Sequence, residues 1–211
     1  MLRVTEIFYS LQGETSRAGW PTVFIRLTGC PLRCGYCDSE YAFHGGVGMP
    51  VAEILQAVQE YDCPLVCVTG GEPLAQKSCP ALLTALCDAG YSVSLETSGA
   101  LPIDGVDPRV SRIVDIKTPG SGEVERNHWE NLSWLTAHDE LKLVICHEGD
   151  YLWARSVVMD NKLYQRCPVL FSPVMGGMAA ADLADRILAD RLPVRFQMQL
   201  HKALWGNIAG K

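Results

Sequence analysis

The sequence predicts an α/β protein built as an open, partial (β/α) barrel of about six parallel strands. Three observations predict it. Short apolar runs alternate with helical patterns along the chain, and that alternation builds a mostly parallel sheet. Six or seven such strands are too few for a closed eight-unit barrel. Polar, glycine-rich motifs recur directly after the strands, at the edge where parallel α/β folds assemble their sites. The 211 residues, 48% hydrophobic and 20% charged, suit one domain over 1–211 without linkers.

The elements follow in order. An early strand is expected at 22–27. A helix over 51–61 carries Val51, Ile54, Leu55 and Val58 at i, i+3, i+4, i+7, with Pro50 opening it. The apolar run 64–68 reads as a strand. A helix over 80–89 has Ser78 as its expected cap, Leu82, Leu83 and Leu86 inside, and Gly90 as its stop. Strands are expected at 92–95, 110–116, 141–145 and 169–171. A last one at 194–200 rests on alternating Val194, Phe196, Met198 and Leu200. Helices are expected near 123–136, 151–159 and 179–190.

Composition excludes some classes of function. A net charge of −6 disfavours generic nucleic-acid or acidic-membrane binding. No apolar run reaches the roughly 18 residues of a membrane span. The N-terminus lacks a signal-peptide core, so the expected location is the cytoplasm. Nine cysteines in a reducing compartment point to metal binding or burial. Six of them (Cys63, Cys67, Cys79, Cys87, Cys146 and Cys167) are scattered and read as buried small hydrophobes.

The other three carry the chemistry. Cys30, Cys34 and Cys37 form C-x3-C-x2-C with Tyr36 directly before the third. A [4Fe–4S] cluster normally takes four thiolates. Three leave one iron open, and S-adenosylmethionine (SAM) has an amino and a carboxylate group to chelate it. One-electron transfer to the sulfonium then yields a 5′-deoxyadenosyl radical. A zinc site with a remote fourth ligand is the structural alternative.

This spacing resembles the radical-SAM superfamily, and Thr69-Gly70-Gly71-Glu72-Pro73 is similar to its glycine-rich motif. Two glycines after a strand let backbone approach a ligand closely, although a plain turn needs them too. The run Ile7 to Thr15, with Phe24-Ile25-Arg26-Leu27 and Cys37-Asp38-Ser39, resembles the 7-carboxy-7-deazaguanine synthase family. So do Glu140 to Ile145 and Gln199-Leu200-His201-Lys202.

That resemblance implies a lyase. It implies conversion of 6-carboxy-5,6,7,8-tetrahydropterin to 7-carboxy-7-deazaguanine with loss of ammonia, supplying a tRNA modification precursor on the route to queuosine. It implies Mg²⁺ near the substrate carboxylate, with Ser39 as its hydroxyl ligand. SAM contacts fall on Tyr36, Cys37, Asp38, Gly71, Asp115, Ile116, Lys117 and Pro173. Substrate contacts fall on Leu11, Gln12, Gly13, Glu14, Arg26, Thr69, Glu96 and His201. Gln12, Glu14 and Glu96 are the amide and carboxylate groups that read a pterin edge, and Arg26 suits a carboxylate. The family also implies a homodimer, and a flavodoxin-like reductant is a reasonable partner.

Simpler roles exist for several of these. Gln12 and Glu14 fit a surface, Arg26 a structural ion pair, Ser39 a helix cap and His201 a strand end. Asp115-Ile116-Lys117-Thr118-Pro119 lacks the Ser expected beside Lys117 in relatives. Rival functions are a glycyl-radical enzyme activating enzyme, which serves a protein substrate, and a non-catalytic zinc or Fe–S module.

Overall fold

The computed structural model describes residues 1–206, 208 and 210. Nine strands form one sheet in the order β3-β1-β2-β4-β5-β6-β7-β8-β9. The strands are β1 Leu2–Leu11, β2 Pro21–Leu27, β3 Val47–Met49, β4 Leu65–Gly70, β5 Ser92–Thr97, β6 Ser111–Ile116, β7 Glu140–Ile145, β8 Val169–Pro173 and β9 Arg195–Phe196. From β2 through β9 every pairing is parallel, while β1 pairs antiparallel with β2 and β3. The sheet is therefore seven parallel strands with β1 and β3 added antiparallel at one edge. It does not close, as expected of a partial barrel.

Among the described residues five α-helices cover the sheet: α1 Val51–Gln59, α2 Cys79–Asp88, α3 Glu148–Asp160, α4 Ala180–Ala189 and α5 Leu200–Trp205. The first two cover β1, β2, β4 and β5 in one apolar cluster that includes Ile25, Ile54, Val68 and Leu83. The next two cover β6, β7 and β8 in a second, with Leu143, Tyr151, Phe171 and Leu183. Leu74 packs against both. Helix α2 ends as the sequence predicts. Gly90 has φ +90, its N–H reaches the Cys87 carbonyl, and Tyr91 N–H reaches back to Leu86. That is a Schellman turn. Ser78 precedes α2 but makes no side-chain cap bond, so its capping role is not realised.

Three expectations need correction. Neither β1 nor β3 is foreseen, because β1 is mostly half-buried and shows no clean apolar alternation. The helix near 123–136 is replaced by 3₁₀ turns at Val124–Arg126 and Trp129–Trp134. There Asn127 Nδ2 donates to the Lys117 and Val124 carbonyls, and Asn131 Nδ2 to those of Gly99 and Leu101. Such side-chain bonds compete with the helix ladder. The last strand is Arg195–Phe196, not 194–200. Gln197 N–H still bonds the Phe171 carbonyl, but the chain then leaves the sheet and enters α5. Four of the six scattered cysteines are buried, whereas Cys87 and Cys146 are partly exposed.

Candidate active site

A cavity of about 690 Å³ opens at the C-terminal ends of the parallel strands. Every motif that follows a strand contributes to its wall. The loop after β2 brings Cys30, Cys34 and Cys37, all half-buried and free. Its shape is held from outside. Gly29 N–H bonds the Ala42 carbonyl at 2.8 Å, Gly35 N–H the Ser121 carbonyl at 3.0 Å, and Arg33 N–H Glu123 Oε1 at 2.6 Å. Burial pushes all three thiols up, and Lys117 pulls the other way. Iron bound to the sulfurs reverses that preference.

The residues fit a cluster with SAM on two counts. Tyr36 Oη and Asp115 Oδ1 are buried without a hydrogen-bond partner. Unpartnered buried polar atoms are costly and mark places where a ligand's polar groups belong. Gly71 has no room for a side chain, since a Cβ would strike the Gly29 carbonyl and Cys30. The neighbouring Glu72 is fully buried. It accepts bonds from Thr97 Oγ1 at 2.9 Å, Ser98 N at 2.7 Å and Leu74 N at 2.9 Å, locking the β4 turn to the end of β5.

A second group of residues faces the thiols. The loop between β1 and β2 folds into the open barrel, not away from it. Glu140 on β7 anchors it by accepting from Ser16 N–H at 3.0 Å, and Arg17 reaches the Ser92 carbonyl at 3.1 Å. This places Leu11, Gln12, Gly13 and Glu14 on the cavity wall. Gln12 Nε2 donates to Glu96 Oε1 at 3.2 Å, and Thr69 Oγ1 to Glu96 Oε2 at 2.9 Å. Glu14 accepts from Lys142 Nζ at 2.6 Å and Gln199 Nε2 at 2.7 Å. Burial alone raises the Glu14 carboxyl, but Lys142 and Gln199 outweigh it and keep Glu14 ionised. Gln12 and Glu14 are thus buried, not surface groups.

Helix α5 covers this side. Leu200 N–H bonds the Gly13 carbonyl at 2.9 Å, and Lys202 Nζ meets Asp38 Oδ2 at 2.6 Å. The His201 ring packs where a Gly13 Cβ would stand. His201 is therefore on a helix, not at a strand end. Burial lowers its pKa, which keeps it neutral at pH 7.

Other predicted residues land differently. Arg26 lies between the rings of Phe8 and Tyr41, but its Nε donates to Glu6 at 2.7 Å. Its Nη edge is the part left for a bidentate clamp on a carboxylate. Ser39 lines the cavity and donates to Asp38 Oδ1 at 2.9 Å, with no helix-cap bond. Asp115, Lys117 and Pro173 line the cavity. Ile116 does not, because its side chain packs in the core beneath β6, so any ligand contact there uses its backbone. Lys142, Lys202 and Glu72 had no assigned role. Lys142 carried a readable signal, a lone charge inside the apolar run Leu141-Lys142-Leu143-Val144.

The open sheet, three-cysteine loop and glycine turn define a radical-SAM protein, and residues 24–116 match the Radical SAM superfamily. The chain is 48% identical over 207 residues to the 7-carboxy-7-deazaguanine synthase of Chlorobaculum tepidum, covering 97% of this chain and 94% of that one. It is 43% identical to that of Koribacter versatilis, covering 97% of each. The crystal structure of QueE from Escherichia coli superposes with a TM-score of 0.73 at 23% identity, over 95% of this chain and 94% of the other. This chain belongs to the 7-carboxy-7-deazaguanine synthase family. A [4Fe–4S] cluster and SAM are the cofactors of that class. The activating-enzyme and zinc-module alternatives are not favoured by relatives of this identity over nearly the whole length.

Proposed function

We propose that the chain is a lyase converting 6-carboxy-5,6,7,8-tetrahydropterin into 7-carboxy-7-deazaguanine with loss of ammonia, within 7-deazapurine (queuosine) biosynthesis. One observation carries the reading: buried Gln12, Glu14 and Thr69 and half-buried Glu96, a row of acceptors and donors, share one cavity with three free thiols. Those are groups for a small heterocycle with amide and amine edges.

Cys30, Cys34 and Cys37 would hold the cluster. Tyr36, Cys37, Asp38, Gly71, Asp115, Lys117 and Pro173 would contact SAM, with Ile116 contributing backbone. When bound, cluster and SAM supply a carbon radical able to abstract hydrogen from the substrate. The chain's own groups do the rest. Glu96 and Gln12 orient the pterin edge, while Leu11, the Gly13 backbone and Thr69 complete its seat. Arg26 takes the carboxylate on its Nη edge, and Ser39 offers the hydroxyl for Mg²⁺, which needs few protein ligands. Neutral His201 holds one proton on its ring, so it can both donate and accept. Helix α5 excludes water from the reacting face. The proposal extends to one domain, a homodimer, a flavodoxin-like reductant and a cytoplasmic location, with no nucleic-acid partner. Among the described residues no helix is long and apolar enough to cross a membrane.

The test is anaerobic reconstitution followed by SAM, reductant and the carboxypterin. Formation of 7-carboxy-7-deazaguanine is expected. Deoxyadenosine without deazaguanine would overturn the substrate assignment.

A further inference from the structure

Lys142 stands in the middle of β7, where it pairs in register with Asp115 on β6. Its Nζ is 2.6 Å from Glu14 Oε2 and 3.6 Å from Asp115 Oδ2. The side chain is 14% exposed and opens on the cavity. Glu14 belongs to the loop between β1 and β2, and its other oxygen is tied to Gln199 just before α5. Asp115 also meets Lys117 Nζ at 3.1 Å, so two lysines and two carboxylates cancel in one buried chain of charge. A single ammonium thus serves both the carboxylate assigned to the substrate and the one assigned to SAM.

We propose that Lys142 is a positioning residue that couples the two halves of the cavity, so that filling one raises the affinity of the other. The inference rests on the substrate assignment above. The physical route starts at Asp115 Oδ1, which is buried and has no partner. A ligand donor arriving there draws on the carboxylate that Lys117 and Lys142 share. Lys142 then places more of its charge on Glu14. Glu14 is fixed more firmly, and through Gln199 so is α5 over the substrate. Thermodynamic linkage makes the effect reciprocal. Lys202 on α5 makes a second tie across the cavity, to Asp38, but it meets no carboxylate assigned to the substrate, and Lys117 reaches Asp115 alone among the carboxylates it pairs with. A purely structural lysine would stabilise the fold without linking the two ligands.

The experiment is calorimetric titration of anaerobically reconstituted holoprotein without reductant, so that SAM binds and is not consumed. The wild type is expected to bind SAM about tenfold more tightly when the carboxypterin is present. Lys142→Met is expected to reduce that factor to within about twofold, while Lys142→Arg, which keeps the charge, restores at least about threefold. A wild-type factor near one, or an undiminished factor in Lys142→Met, overturns the inference. A wild type that binds SAM but not the carboxypterin overturns the substrate assignment instead. In that case, or if Lys142→Met does not fold, Glu14→Gln with SAM alone decides. Glu14 lies on the substrate side, so a shift of at least about threefold in SAM affinity supports the link, and no shift overturns it.

Discussion

Arg112 and Asp139 form a buried ion pair at the end of β6 opposite the cavity. Arg112 Nη2 and Nε meet Asp139 Oδ2 and Oδ1 at 2.6 and 2.9 Å, and Thr136 N–H adds a third bond at 2.8 Å. Burial raises the Asp139 carboxyl, but these bonds outweigh it and hold the pKa below the usual carboxylate range. A depressed carboxyl stabilises the fold fully above its unfolded value of about 3.9 and loses that contribution as pH falls through the folded value. Asp139→Asn is therefore expected to cost about 3 kcal/mol at pH 7. The gap from wild type should close below about pH 4, as urea unfolding at a series of pH values will show. This pair was not legible in the sequence, because nothing local announces that residues 27 apart will meet. The thiol triad was legible, because its spacing is the whole signal. Lys142 fell between the two: its position inside an apolar strand was visible, but its partner Glu14 lies 128 residues away.

At the scale of elements, the parallel strands were the readable part. Strands buried on both faces appear as apolar runs, and β4 to β8 all fall where such runs occur. The hairpin of β1 and β2 was half missed because only β2 is buried along nearly its whole length. The segment between β6 and β7 was misread because a helix was expected to fill the gap between two strands, whereas its asparagines serve loop backbone and not a helix. Asn131 is buried and ties three backbone groups together, accepting from Ile103 N–H and donating to the Gly99 and Leu101 carbonyls. Asn131→Ala leaves those groups unpaired and is expected to cost about 3 kcal/mol. A shift of the urea midpoint measures it, and a loss under about 0.5 kcal/mol would show that water replaces the amide.

For the molecule as a whole, the two sides of the cavity have different owners. The thiols and the glycine turn are held by the parallel sheet and its loops, whereas the substrate side is completed by α5. Ending the chain after Met198 removes the contacts of Gln199, Leu200, His201 and Lys202 but touches neither core cluster. The shortened protein is expected to keep its iron and its far-ultraviolet circular dichroism. It should bind the carboxypterin at least about tenfold more weakly, a loss of about 1.4 kcal/mol or more. Equal affinity by calorimetry would remove α5 from the site.

The bond between Glu14 and Gln199 spans 185 residues. On a ribosome adding roughly 5–20 residues per second, Gln199 emerges on the order of ten seconds after Cys37. Throughout that interval the thiols exist while the roof over them does not. The roof of the site is therefore the last part of it that synthesis can supply.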